Sequence, residues 1–131
     1  MQDLGSPQAG ETHPVGNIGS ELEDYNLFTT DTALVEAVRR EGGDWGLDAL
    51  SRFGEDIGRA EYLDLGHLAN RYPPELDTHD RFGRRIDRVR YHPAYHQLMA
   101  KALELGIHSD PWTDPRPGAH VVRGAKGFLH S

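Results

Sequence analysis

Along most of the chain, apolar residues recur at spacings of three and four, the period of a helix lying against a core. The recurrence starts late. Residues 1–24 mix Gly, Pro, Ser, Gln and acids without period, which predicts a flexible arm. Order is expected from Tyr25-Asn26-Leu27-Phe28, where two large apolar groups come together. Thr30 suits an N-cap and Asp31 the first turn, where the helix dipole favours a negative charge. Leu34, Ala37 and Val38 make the stripe of this first helix, Arg39 and Arg40 suit its last turn, and Gly42-Gly43 supplies a left-handed stop. A second helix is predicted from about Asp44, with Leu50, Phe53 and Ile57 on one face. Gly54 and Gly58 each weaken it by roughly 1 kcal/mol relative to Ala, and Gly58 is placed to end it. A third helix runs from about Arg59 to Arg71, with Tyr62, Leu65, Ala69 and Tyr72 at helical spacing, and Pro73-Pro74 stops it.

The period then changes to two. Val89 and Tyr91 alternate with Arg88 and Arg90, and Arg81-Phe82-Gly83-Arg84 has the composition of a turn in which Gly83 can take positive φ. Residues 76–91 therefore predict a β-hairpin, and because an isolated hairpin is marginal in water it is expected to pack on helices. Pro93 opens a fourth helix with Tyr95, Leu98, Met99, Ala102 and Leu105 facing inward, and Gly106 closes it. A loop with Pro111, Pro115 and Pro117 follows, in which Trp112 is expected to anchor against the core; the other tryptophan and the tyrosines also read as core. The last stripe, Val121, Val122, Ala125, Phe128 and Leu129, reaches Ser131 without a capping residue. That predicts a helix interrupted in mid-pattern, its face waiting for a core that further chain supplies.

Composition narrows the class. The 131 residues allow one domain, and 37% apolar content with 15 Gly and 8 Pro describes short elements with many breaks. There is no cysteine, which excludes disulfides, thiol catalysis and thiolate metal sites. No apolar run is long enough for a membrane span and no secretory signal is present, so no membrane partner and a cytoplasmic location are expected. Residues 1–64 hold 14 acids against 4 bases, and residues 65–131 hold 7 acids against 10 bases. Non-specific nucleic-acid binding by the whole chain is therefore disfavoured.

Three groups could carry chemistry. His92 and His96 stand four apart, a spacing at which two imidazoles can share a metal, but Pro93 biases His92 to an extended conformation and no third ligand is fixed. Arg81, Arg84, Arg85, Arg88 and Arg90 form a basic cluster able to grip phosphate, diluted by Asp80 and Asp87 and equally suited to a solvated hairpin edge. Glu75, Asp77, His79 and Asp80 could be imagined as an acid–base group, yet neighbours on a strand point to opposite faces. No nucleophile elbow, dinucleotide fingerprint or phosphate loop is present. The residues themselves define no active site: no catalytic, cofactor-binding or metal-binding residue is assigned.

Several runs, in order, nevertheless resemble one family. They are Asp24-Tyr25-Asn26-Leu27-Phe28; Leu34 through Gly42; Leu65-Gly66-His67-Leu68-Ala69-Asn70 with Pro73-Pro74; and Asp80 through Asp87. Val89-Arg90-Tyr91-His92-Pro93-Ala94-Tyr95-His96-Gln97-Leu98-Met99 is the most specific, and residues 118–130 follow. Residues 24–131 resemble the start of the AidB-like acyl-CoA dehydrogenases, whose N-terminal segment is called the adaptive-response domain. The resemblance implies a mainly α fold: residues 25–131 would be a partial, C-terminally incomplete helical N-terminal domain of the acyl-CoA dehydrogenase fold, with one short β-hairpin, after the arm at 1–24. In the full-length parent it implies FAD, acyl-CoA oxidation, DNA alkylation-damage response, DNA contact and a homotetramer. This chain would be a scaffold fragment, inactive alone and binding no FAD. The alternative is a stand-alone helical binding or regulatory module that contacts nucleic acid or a partner protein through the hairpin at 81–90.

Overall fold

The structure, a computed structural model, describes residues 16–131, so most of the predicted arm lies outside the described residues. Helix α1 spans Thr32–Arg40 and is capped by Asp31, one residue later than predicted: its Oδ1 accepts from the Leu34 N–H at 2.9 Å. The hydroxyl of Thr30 instead donates back to the Asn26 carbonyl at 2.7 Å. A carboxylate is the stronger acceptor at the positive end of a helix dipole, which favours Asp31 for the cap. After Gly42, at φ +81°, a 3-10 turn at Asp44–Gly46 leads into α2, Leu47–Ile57. The predicted second helix is thus right in place and tighter in its first three residues.

Phe28, Val38, Leu50, Val122 and Ala125 form the core, with Leu34, Val35, Leu47, Val121 and Leu129 packed around it. Two of those buried residues come from α6, Ala119–His130, which lies across α1 and α2. The expectation that its face lacks a partner is therefore corrected: Val122 and Ala125 are buried within this chain, and only Phe128, 63% exposed, stands out. Helical spacing shows that a stripe needs a partner but not which segment provides it.

The glycines of α2 have a packing purpose. A Cβ on Gly54 would lie 2.6 Å from both the Asn26 Oδ1 and the Phe28 nitrogen, and one on Gly58 would overlap the Tyr25 carbonyl. Their absence of side chain lets residues 24–28 run against the helix as a strap. Leu27 N–H donates to the Gly54 carbonyl at 3.0 Å, Asp24 N–H to the Gly58 carbonyl at 2.7 Å, and Asn26 Nδ2 to the Ser51 carbonyl at 2.9 Å. What costs helix propensity is returned as tertiary contact.

Helices α3, Ala60–Arg71, and α4, Pro93–Glu104, pack on each other and are joined by a hairpin of β1, Glu75–His79, and β2, Arg85–Arg90. Neither helix is deeply seated: α3 has no buried residue, α4 buries only Ala94, and Met99, expected inside, is exposed. The hairpin does not lie on helices as expected. All of β2 is exposed and β1 has only Asp77 half-buried, because the ribbon projects from the ends of the two helices.

Both tryptophans also depart from the core reading. Trp112, on the single turn α5 at Asp110–Thr113, is 65% exposed, edge-on to His120 and under Arg123, while neighbouring Pro111 is buried. Lys126 holds this loop, its Nζ donating to Asp110 Oδ2 at 2.5 Å and to the Leu105 carbonyl at 2.8 Å. Trp45 keeps its ring at the surface under Arg116, with Nε1 donating to the Pro117 carbonyl at 2.8 Å. A buried indole needs a partner for its N–H, and the surface position supplies one more cheaply. Among the described residues no helix is long and apolar enough to cross a membrane.

Candidate functional site

The hairpin is where the sequence placed most of its candidate chemistry. Pairing is antiparallel, with Glu75 opposite Arg90, Leu76 opposite Val89, Asp77 opposite Arg88 and His79 opposite Arg85. Two steps on β1 match three on β2, so β2 carries one extra residue between Arg85 and Arg88. Asp87, at φ +43°, lies in this bulge, a conformation Asp tolerates better than most residues. The bulge resets the alternation. Arg85, Arg88 and Arg90 come to share one face with Glu75, Asp77 and His79, while Leu76, Ile86 and Val89 share the other.

The shared face is an ion-pair network. Asp77 Oδ2 accepts from Arg90 Nε at 2.7 Å and from Arg88 at 3.1 Å, Arg90 also reaches Glu75 Oε2 at 2.8 Å, and Arg85 Nε reaches Asp87 at 2.7 Å. Hydrogen bonds from Arg90, then Arg88, hold the Asp77 carboxyl below the ordinary range, and the same contact raises the Arg90 guanidinium. At the turn, where Gly83 has φ +78°, Asp80 Oδ1 accepts from the Phe82 and Arg84 N–H groups. Arg81 and Arg84 flank the Phe82 ring, 4.6 and 5.4 Å from its centroid, and neither has an ion pair among the described residues. Three of the five predicted arginines are thus committed to acids and two remain at the tip. Glu75, Asp77, His79 and Asp80 do not converge: Asp80 caps the turn and the two other acids serve arginines.

His92 and His96 have separate roles. His92 is the N-cap of α4, its Nδ1 accepting from the Ala94 N–H at 3.1 Å, and its ring stacks on Tyr72 at 5.0 Å. His96 lies edge-on to Tyr91 and Tyr95, which stack on each other at 4.1 Å. Among the described residues, no group of three or more His, Asp or Glu is placed to hold a metal.

A second concave surface was missed by the sequence. A groove of about 390 Å³ opens between α3 and the end of α6, with Leu27, Ile57, Leu63, Leu98 and Leu129 among its walls and His130 at its rim. His130 Nε2 is 2.8 Å from the Leu98 carbonyl, tying the end of α6 to α4. Outside the groove, Lys101 of α4 donates to Asp56 of α2 at 2.6 Å, a bond that raises the lysine pKa against the opposing effect of burial. The groove draws on several separated segments, so no local pattern announces it.

An antiparallel helix pair around a hairpin, set beside a helical core, is the architecture of the helical N-terminal domain of acyl-CoA dehydrogenase-like proteins. Caenorhabditis elegans ACDH-11, solved in complex with C11-CoA, superposes with a TM-score of 0.74 at 25% identity, over 95% of this chain and 22% of that one. Bd2924, solved in its apo form, gives 0.76 at 24% identity, over 88% of this chain and 24% of that one. Within that class the chain belongs to the family described as adaptive response protein AidB N-terminal domain, which matches residues 17–131. It is 47% identical over 122 residues to AidB of Escherichia coli (strain K12), named as an acyl-CoA dehydrogenase, covering 92% of this chain and 23% of the relative. The chain thus spans about a quarter of the length of the proteins it resembles.

Proposed function

We propose that this chain serves as the scaffold domain of an AidB-like flavoprotein, with residues 25–131 as the domain and residues 1–24 as an arm. The supporting observation is the 47% identity to the E. coli relative over nearly the whole chain. In the whole protein the activity would be FAD-dependent acyl-CoA oxidation, protection against DNA alkylation damage, or both, in a cytoplasmic homotetramer with acyl-CoA and DNA as partners. In this reading the described residues hold no flavin of their own. Aliphatic side chains make up half of the lining of the groove between α3 and α6, with Tyr62, His67, Asn70 and Ser131 among the rest; His130 is engaged with the Leu98 carbonyl, and no buried side-chain polar atom among the described residues lacks a partner. No catalytic, flavin-binding or metal-binding residue is therefore assigned to this chain, and the groove is read as a seat for neighbouring protein. The alternative of a nucleic-acid module working through the hairpin has less support, since Arg85, Arg88 and Arg90 are occupied by acids.

Complementation tests this reading. The E. coli relative lacking its matching segment, co-expressed with this chain, should regain solubility and visible flavin absorbance. Leu98→Asp in the groove should prevent rescue while leaving the isolated chain helical by circular dichroism. Stoichiometric FAD on the 131-residue chain alone, or rescue unaffected by Leu98→Asp, would refute it.

A further inference from the structure

Two separate segments of this chain expose apolar side chains beside charges of opposite sign. On the hairpin, Leu76 and Val89 are 59% and 51% exposed on one face with Ile86, and among the described residues both long edges of the two-stranded sheet are open. Arg81 and Arg84 at its tip are without ion pairs among the described residues. At residues 18–23, Ile18 and Leu22 are exposed, and Glu21 and Glu23 likewise have no ion pair among the described residues. Drawn out as a strand, this segment presents Ile18, Ser20 and Leu22 on one side and Glu21 and Glu23 on the other. The apolar side matches the face of Leu76, Ile86 and Val89, while Glu21 and Glu23 offer acids to Arg81 and Arg84 at the tip; Arg85, Arg88 and Arg90 keep their own acids.

We propose that residues 18–23 of a second copy add as a third strand to the open edge of this hairpin, and that two such exchanges close a dyad-symmetric dimer. The proposal does not depend on the enzyme reading above. Edge addition satisfies open backbone groups and extends both faces at once. Three strands are also the number at which a small sheet becomes independently stable, which the projecting pair is not.

The contact is between copies because the chain cannot make it with itself. Asp24 is fixed at the start of α3, its carboxylate accepting from the Ala60 N–H at 3.1 Å and its own N–H donating to the Gly58 carbonyl. The hairpin leaves from the other end of this 12-residue helix, about 18 Å away at about 1.5 Å per residue. Glu21, three residues before Asp24, reaches at most about 10 Å.

Sedimentation velocity on the 131-residue chain tests this, with circular dichroism confirming that each variant is folded. The wild type should dimerise with concentration, less so at high salt. Arg81→Glu/Arg84→Glu and Glu21→Arg/Glu23→Arg should each weaken the dimer at least about tenfold, and the four changes together should restore it. A monomer at every concentration, a dimer indifferent to both pairs, or failure of the combined exchange to restore association would overturn the proposal. So would a monomer that holds duplex DNA and loses it in Arg81→Glu/Arg84→Glu, since the tip would then be a nucleic-acid site.

Discussion

The two halves of this fold are built on different principles. Around α1, α2 and α6, Val38 and Leu50 are inaccessible to solvent, and glycines admit the backbone of residues 24–28 to contact distance. Around α3, the hairpin and α4, nearly all burial is partial, and the most specific contacts are ion pairs on the outside of a projecting ribbon. Apolar burial is the larger source of stability in the first half. Exposed ion pairs contribute little in water, because solvent screens them and ordering long side chains costs entropy. The second half therefore has the construction of a contact surface, and the first that of its support.

The largest test of this contrast is core truncation. Leu50→Ala should lower the unfolding free energy by about 2–5 kcal/mol in urea denaturation, whereas Leu98→Ala, in the open groove, should cost well under half as much. Equal losses would mean that the second half is as tightly packed as the first. Next comes the strap. Gly54→Ala gains helix propensity but sets a methyl against the Phe28 backbone, so a net loss of about 1–3 kcal/mol is expected, with faster hydrogen exchange at Leu27. A stabilised protein would show that the close approach is dispensable.

The smallest effect should come from the ribbon. The Asp77 carboxyl has its folded pKa below its unfolded value, so its contribution is present above the ordinary carboxylate range and is lost as pH falls through the folded pKa. The Asp77 side-chain carboxyl signal followed by NMR should titrate only below the usual carboxylate pKa, while the core stays folded. Asp77→Asn should abolish that acid transition and move the melting temperature hardly at all. A transition at ordinary carboxylate pH would break the network as described.

Much of the order of elements was legible beforehand because its signals are local. The helix stop at Gly42, the break at Pro73-Pro74, the turn at Gly83 and the helix start at Pro93 all lie where backbone geometry required them. The candidate site was only partly legible. The arginine cluster could be read as residues, but not which of them were already paired. That depended on the bulge at Asp87, which shifts the alternation by one residue and leaves no clear trace in the residue types.

The sequence by itself determined the longer helices, the hairpin and the family, though not the single turn α5, since periodicity, capping chemistry and runs of matching residues are properties of short stretches. Tertiary structure alone decided that α6 completes this chain's own core, that Gly54 and Gly58 are contact positions, that Trp45 and Trp112 face out, and that the hairpin stands free. The physical reason is the same in each case. A stripe or a small residue states what kind of surface an element offers, and only the arrangement of distant segments states what meets it.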